Sequence, residues 1–179
     1  HQFKAALERI AQVADVHFTI TADPGADLRL VLDLNEMPGD YAAYFNPPDT
    51  FNAGIGVFDG NLWDRWAGGS LEKGGLSYAI VTHELLHGLG LAHPHDTGGS
   101  STIMDGVIWD TGDYGNADLN QGIFTTMSYN TGYWTGQGTA PISDQYGVEI
   151  GPMALDIAVL QSIYGANTTH AAGKDTYWL

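Results

Sequence analysis

His83-Glu84-Leu85-Leu86-His87-Gly88-Leu89-Gly90-Leu91-Ala92-His93 decides how the rest of the chain is read. His83 and His87 are spaced i, i+4, so on a helix they lie one above the other on the same face. Both imidazoles can then reach one metal ion. Glu84 sits beside His83 but points partly round the helix, which suits a residue that handles the metal's water without binding the metal. Gly90 ends the helix, because a residue without Cβ takes the left-handed conformation that turns the chain back. The turn lets His93 approach the same metal from outside the helix. Three neutral imidazoles with one open position describe a catalytic zinc site, not a closed structural one. Five residues of this rarity fall into register by chance on the order of once in a hundred thousand chains of this length. An amphipathic helix with three separately satisfied core histidines is therefore the weaker reading.

The spacing H-E-x-x-H-x-x-G-x-x-H resembles that of the metzincin clan of zinc metallopeptidases. Pro94 follows the third histidine, and HGLGLAHP resembles the serralysin family. Thr126-Met127-Ser128-Tyr129 is similar to the serralysin Met-turn, which places a methionine under the zinc site and a tyrosine ligand two residues later. Gly151 to Asn167 resembles the helix that closes the serralysin catalytic domain. The resemblance implies an α+β zincin: a twisted, mostly parallel five-stranded sheet, the active-site helix, the Met-turn and a C-terminal helix. It implies a catalytic domain over residues 1–168, with an upper half 1–93, a lower half 94–168 and extended substrate between them. Residues 169–179 form a tail; GKDTYWL is similar to the stretch that leads into calcium-binding nonapeptide repeats in serralysins, and no such repeat is present.

Upstream of the zinc stretch, Phe3, Ala6, Leu7, Ile10 and Val13 recur at helical spacing and predict a helix over Gln2 to Ala14. Val16 to Thr21 alternates as a strand does, with His17 and Thr19 on one face, and His17 is read as a surface residue. Leu28 to Leu34, Ala42 to Phe45 and Ala53 to Phe58 are three further predicted strands, the last flattened by Gly54 and Gly56. The order of elements in the clan makes the last one the sheet edge above the cleft. Substrate would then add as a strand to Ala53, Gly54, Ile55, Gly56 and Val57. Trp63 and Trp66, in the loop Asn61 to Lys73, are read as burying that loop against the core rather than walling the cleft. Gly74-Gly75 precedes the long helix, Leu76 to Leu89, whose Val81, Leu85 and Leu89 face the sheet.

Downstream, His95 to Gly122 is rich in Gly, Asp, Thr and Ser. Asp110, Asp113 and Asp118 offer carboxylate oxygens to calcium. Their spacing is not that of an EF-hand, so a solvated acidic loop is the preferred reading. Asp96 matches the aspartate of the family's HPGD stretch and braces the zinc loop; His95 stands where the family has glycine and is expected at the surface. Met127 packs beneath the ligands. Asn130 stands where the family usually has tryptophan, with Trp134 shortly after. Tyr133 to Tyr146 is a glycine-rich loop expected to border the cleft. The last helix, Pro152 to Tyr164, turns Met153, Ile157, Leu160 and Ile163 or Tyr164 inward, and Gly165 stops it.

The chain has 179 residues, 44% of them hydrophobic, enough for one domain with a sizeable core. It has 21 acidic residues against six basic, a formal net charge of -15 and no cysteine. That charge argues against nucleic acid and anionic membranes as partners. No apolar run is long enough to span a bilayer. The resemblance implies a secreted, extracellular monomer, exported unfolded by a Gram-negative one-step (type I) channel. It implies a zinc endopeptidase acting on protein or peptide substrates, with Zn2+ as cofactor and Ca2+ as a second candidate. His83, His87, His93 and Tyr129 would hold Zn2+, which lowers the pKa of a bound water; Glu84 would be the general base and Tyr129 an oxyanion donor. The rival readings are a catalytically silent metzincin fold that captures peptides, and a zinc hydrolase of another kind.

Overall fold

The computed structural model describes residues 1–35, 37, 41–63, 67–98, 101–133 and 146–173. Its elements are α1 (Gln2–Val13), β1 (Arg29–Asp33), β2 (Ala43–Phe45), β3 (Ile55–Asp59), α2 (Leu76–Gly88) and α3 (Ala154–Tyr164). The three predicted helices form within two residues of their expected ends. Of the expected positions, Trp66, Trp134, nearly all of the 133–146 loop and the end of the tail lie outside the described residues.

The core gathers where α1 and α2 cross and where β2 and β3 cover α2. Ala6 and Ile10 of α1 are fully buried with Tyr78, Val81, Leu85 and Leu86 of α2 and Phe58 of β3. Phe58 takes the Phe3 ring edge-on at a centroid distance of 4.7 Å and the Trp63 ring at 6.0 Å. Trp63 thus packs its loop onto the core, as the sequence suggests. α2 is buried nearly all round: its polar Thr82, His83, Glu84 and His87 are as enclosed as its leucines. A helix so placed must satisfy its polar side chains inside the protein, which makes any functional role for them costly to maintain by accident.

The sheet departs from expectation. Among the described residues it has three strands, in the order β1-β3-β2, not five. β1 pairs with β3 in parallel and β2 pairs with β3 antiparallel. Val16 to Thr21 alternates as read: Val16 and Phe18 pack against the core while His17 and Thr19 face solvent. Among the described residues no strand lies beside it and it forms no ladder. The chain just before it is tied elsewhere, through an Ala14–Ala166 bridge and the Asp15 amide donating to Gly165 O at 2.9 Å. A strand is defined by its partner, and side-chain alternation supplies only half of the condition.

β3 is the centre of this sheet and not its edge, which corrects the placement of the substrate strand. Ile55, Gly56 and Val57 pair with Arg29, Leu30 and Val31 of β1; on the other side Gly56 and Val57 pair with Phe45 and Tyr44 of β2, and Ile55 O takes the Asn46 amide. Ala53 and Gly54 lie in the turn that precedes the strand. A strand whose main chain is committed on both sides has nothing left to offer a peptide. The edges are β2, on the side of α2, and β1, where Leu30, Val31 and Leu32 are 42%, 44% and 56% exposed.

Candidate metal centre

α2 ends as Gly90 requires. Gly90 has φ +96°, its amide donates to His87 O at 2.9 Å, and the Leu91 amide reaches back to Leu86 O at 3.0 Å. These two bonds make the Schellman stop, and the reversal carries His93 back over the helix face that holds His83 and His87.

The three Nε2 atoms converge: His83 to His87 at 3.1 Å, His83 to His93 at 3.0 Å and His87 to His93 at 2.9 Å. Each Nδ1 is already committed. His83 Nδ1 meets Thr126 O at 2.8 Å, His87 Nδ1 meets Leu91 O at 2.8 Å, and His93 Nδ1 meets Asp96 Oδ2 at 2.5 Å. Carbonyls and a carboxylate only accept, so each Nδ1 carries the proton and donates it. The three Nε2 lone pairs then face one another with no proton between them. That arrangement repels itself unless a cation sits among them. A point roughly 2.0–2.1 Å from all three, the usual Zn–N distance, lies just off their plane. The donors therefore fit zinc, and their Nδ1 partners are the second-sphere bonds that fix ring orientation in such sites.

Electrostatics agree. Burial, followed by the neighbouring His87, drives His83 down to about 3. Burial and then His93 bring His87 to about 4, and His93 is lowered by burial as well. All three are neutral at physiological pH, the form that binds metal. Burial raises Asp96, but the His93 bond and the Gly98 amide outweigh it and hold the carboxylate low. Glu84 is driven up to about 8 by burial, against the opposing hydrogen bond of the Phe45 amide. Among the described residues its buried Oε2 has no hydrogen-bond partner.

Tyr129 stands against the same cluster, its ring 5.9 Å from that of His83 and 4.7 Å from that of His93. It is raised first by burial and then by Glu84. Met127 is 2% exposed within the core, in a turn closed by the Ser128 amide donating to Thr125 O at 3.2 Å. His95 is half-buried and not on the surface as expected, because its ring lies flat on His93. Among the described residues, Asp110, Asp113 and Asp118 do not converge as a metal-holding group. Asp113 instead accepts the amides of Ile108, Trp109 and Gly115. His93, His95 and Asp96 do form a second cluster, but it shares His93 and would break the His93–Asp96 bond.

Against this geometry, the relatives decide the family. No family model matches the chain. It is 29% identical to serralysin of Proteus mirabilis over 97% of its own length and 36% of that protein. It is 30% identical to metallopeptidase AprA of Pseudomonas marginalis, over 98% and 36%. It is 31% identical to serralysin C of Dickeya chrysanthemi, over 98% and 35%. The chain belongs to the serralysin family of metzincins. It spans about a third of the length of these relatives.

Three features around the site escape the sequence. Asp156, on the first turn of α3, is 1% exposed and accepts Thr125 Oγ1 at 2.6 Å, the Thr126 amide at 2.7 Å and the Met153 amide at 2.8 Å. Through Thr126 it braces the carbonyl that holds His83. Asn130 takes the Gly112 amide at 2.7 Å and donates to Asp113 O and Asn120 O, pinning the acidic loop beside Tyr129. The Phe45 ring is pressed between Gly56 and Gly88: a Cβ on Gly88 would stand 2.6 to 2.9 Å from three of its carbons. Two glycines let the β2 edge approach the catalytic helix closely enough for the Phe45 amide to reach Glu84.

Proposed function

We propose that the chain is a zinc endopeptidase domain that hydrolyses extended peptides by metal-assisted general acid–base catalysis. The observation that carries this reading is the set of three Nε2 lone pairs turned on one point, each fixed by an Nδ1 donor bond, with the next residue after His83, Glu84, keeping one buried oxygen, Oε2, without a partner among the described residues. His83, His87 and His93 would hold the ion. When bound, zinc supplies a Lewis acid and acidifies a water at that point.

The chain's own residues do the rest. Glu84 takes a proton onto its carboxylate and returns it to the leaving amine, a role its burial prepares. Tyr129 serves as a further ligand at rest and as a hydrogen-bond donor to the oxyanion during reaction. Burial, with Glu84 nearby, raises the phenol and keeps it protonated and able to donate. One such donor is typically worth about 3 kcal/mol. Met127 supplies packing beneath the ligands. Substrate is assigned to the outer edge of β2 in place of β3. Ala42 O and the Asn46 amide bond to β3, so Ala43 and Phe45 between them turn their main-chain groups outward, beside Glu84. The excess of acid and the lack of cysteine support a secreted setting. No helix among the described residues is long and apolar enough to cross a membrane.

The test is cleavage of an unstructured protein substrate, with and without a chelator, by the wild-type chain and Glu84→Ala. Cleavage that stops with chelator, returns with zinc and is absent in a zinc-loaded Glu84→Ala protein is the expected result. A wild-type chain that binds zinc and peptide without cutting would instead be a capture module.

A further inference from the structure

Tyr129 is bracketed by three imidazoles among the described residues: His83 at 5.9 Å, His93 at 4.7 Å and His95 at 4.9 Å between centroids. Two of these rings are fixed by bonds already described, which they donate to Thr126 O and Asp96. The third belongs to none of that machinery. His95 contributes no nitrogen to the Nε2 triad, and its buried Nδ1 has no hydrogen-bond partner among the described residues. A polar atom left unsatisfied in this way is not there to make hydrogen bonds within the resting protein. The ring, by contrast, is fully used. It stacks on His93 at 4.9 Å with planes 12° apart, and it meets Tyr129 at 56°. A glycine at this position, as in the HPGD stretch of the family, would leave that side of Tyr129 open.

We propose that His95 is a positioning residue for Tyr129: its ring, backed by His93, is the wall that keeps the phenol turned toward the metal centre. This rests on the reading of Tyr129 as a metal-facing phenol. Tyr129 is 46% exposed, so its ring is free to rotate outward unless contacts oppose it. The His83 and His93 contacts are present whatever stands at residue 95. The His95 contact is the added one, and a single ring–ring contact shifts such an equilibrium about fivefold.

The phenol's position is read from the copper-substituted protein, whose phenolate-to-Cu2+ charge-transfer band reports the tyrosine oxygen on the metal. Wild type, Tyr129→Phe, His95→Gly and His95→Phe are each loaded with one equivalent of Cu2+ in place of zinc. Tyr129→Phe should abolish the band. His95→Gly should lower the ratio of metal-bound to free phenol about fivefold at unchanged copper content. His95→Phe, which keeps a flat ring without nitrogens, should stay within about twofold of wild type. A band equally strong in His95→Gly overturns the proposal, and so does a band lost to the same extent in His95→Phe. If wild type shows no band that Tyr129→Phe removes, it is the ligand reading of Tyr129 that fails, and this outcome is distinct from the other two.

Discussion

The candidate metal centre joins two regions built by different means. His83, Glu84 and His87 ride on α2, a helix enclosed nearly all round, and spacing alone puts the two histidines on one face. His93 and Tyr129 come from irregular chain held by side-chain polar contacts: Asp96 on His93 three residues away and, across longer stretches, Asp156 on the Met127 turn and Asn130 on the acidic loop. The helix side is fixed by burial, and the loop side by a few hydrogen bonds. Damage should therefore spread differently from the two sides, and substitutions can show where the division lies.

The largest effect is expected on the helix side. His87→Ala removes a donor that nothing else can replace, and zinc affinity should fall by at least 1,000-fold, read by competition with a chromogenic chelator. Stoichiometric zinc in that variant would move the metal elsewhere. On the loop side, Asp156→Ala leaves the Thr125 hydroxyl and the Thr126 and Met153 amides without their acceptor. It should cost about 3 kcal/mol, or roughly 6–12 °C in melting temperature, and weaken zinc binding about tenfold through Thr126 and His83. A variant that melts as wild type would mean that the loop side is held by packing after all.

The metal-free protein offers a third test, on acidity. His83 and His87 are lowered from 6.5 to about 3 and about 4. The stability tied to keeping them neutral is present above pH 6.5 and is lost as pH falls toward those values, because the unfolded chain takes up the protons. Glu84 is raised from 4.5 to about 8, so its contribution is present below 4.5 and is lost as pH rises toward 8. His93 is lowered in the same sense as these two histidines, while Glu149 and Asp156, raised by burial, act in the sense of Glu84. The turning point is expected near pH 6.5, and below it stability should fall as the unfolded chain's three histidines take up protons. Thermal melts of the chelated protein from pH 5 to 8 should show that maximum; a steady rise through pH 8 would remove Glu84 from the buried set.

Two smaller effects complete the series. Gly88→Ala drives a methyl into the Phe45 ring and should cost about 1–3 kcal/mol, with a drop in kcat as the Phe45 amide shifts from Glu84. An unperturbed variant would show that the β2 edge gives way easily. His17→Ala, at an exposed position on the segment that found no partner strand, should change stability by less than about 0.5 kcal/mol.

What the sequence disclosed follows the same division. α2, its two histidines, the Gly90 stop and His93 beyond it depend on residues a few positions apart, so spacing is enough to read them. Asp156 reads locally as an acidic residue in a first helical turn; its partners lie 30 and 31 residues upstream. His95 reads as a polar loop residue, and only the fold lays it on His93. Gly56 reads as a weakness in a strand until the Phe45 ring is seen over it. Val16 to Thr21 has the right alternation, but no periodicity tells a strand who its neighbour is. For the same reason β3 was misplaced as the edge: strand order is a property of the whole sheet.

The open side of β1 has a consequence for how the molecule behaves in a crowd. Leu30, Val31 and Leu32 sit on a strand with no neighbour on its outer side among the described residues. Such an edge is a template for another chain's edge. The counterweight is the net charge of -15, which makes two copies repel at a distance. Salt removes that protection: the screening length shrinks from about 30 Å at 0.01 M to about 10 Å at 0.1 M and about 3 Å at 1 M. The domain should therefore disperse best in dilute buffer and cluster as salt is added, a brine-sensitive colloid whose stickiness resides in one short strand.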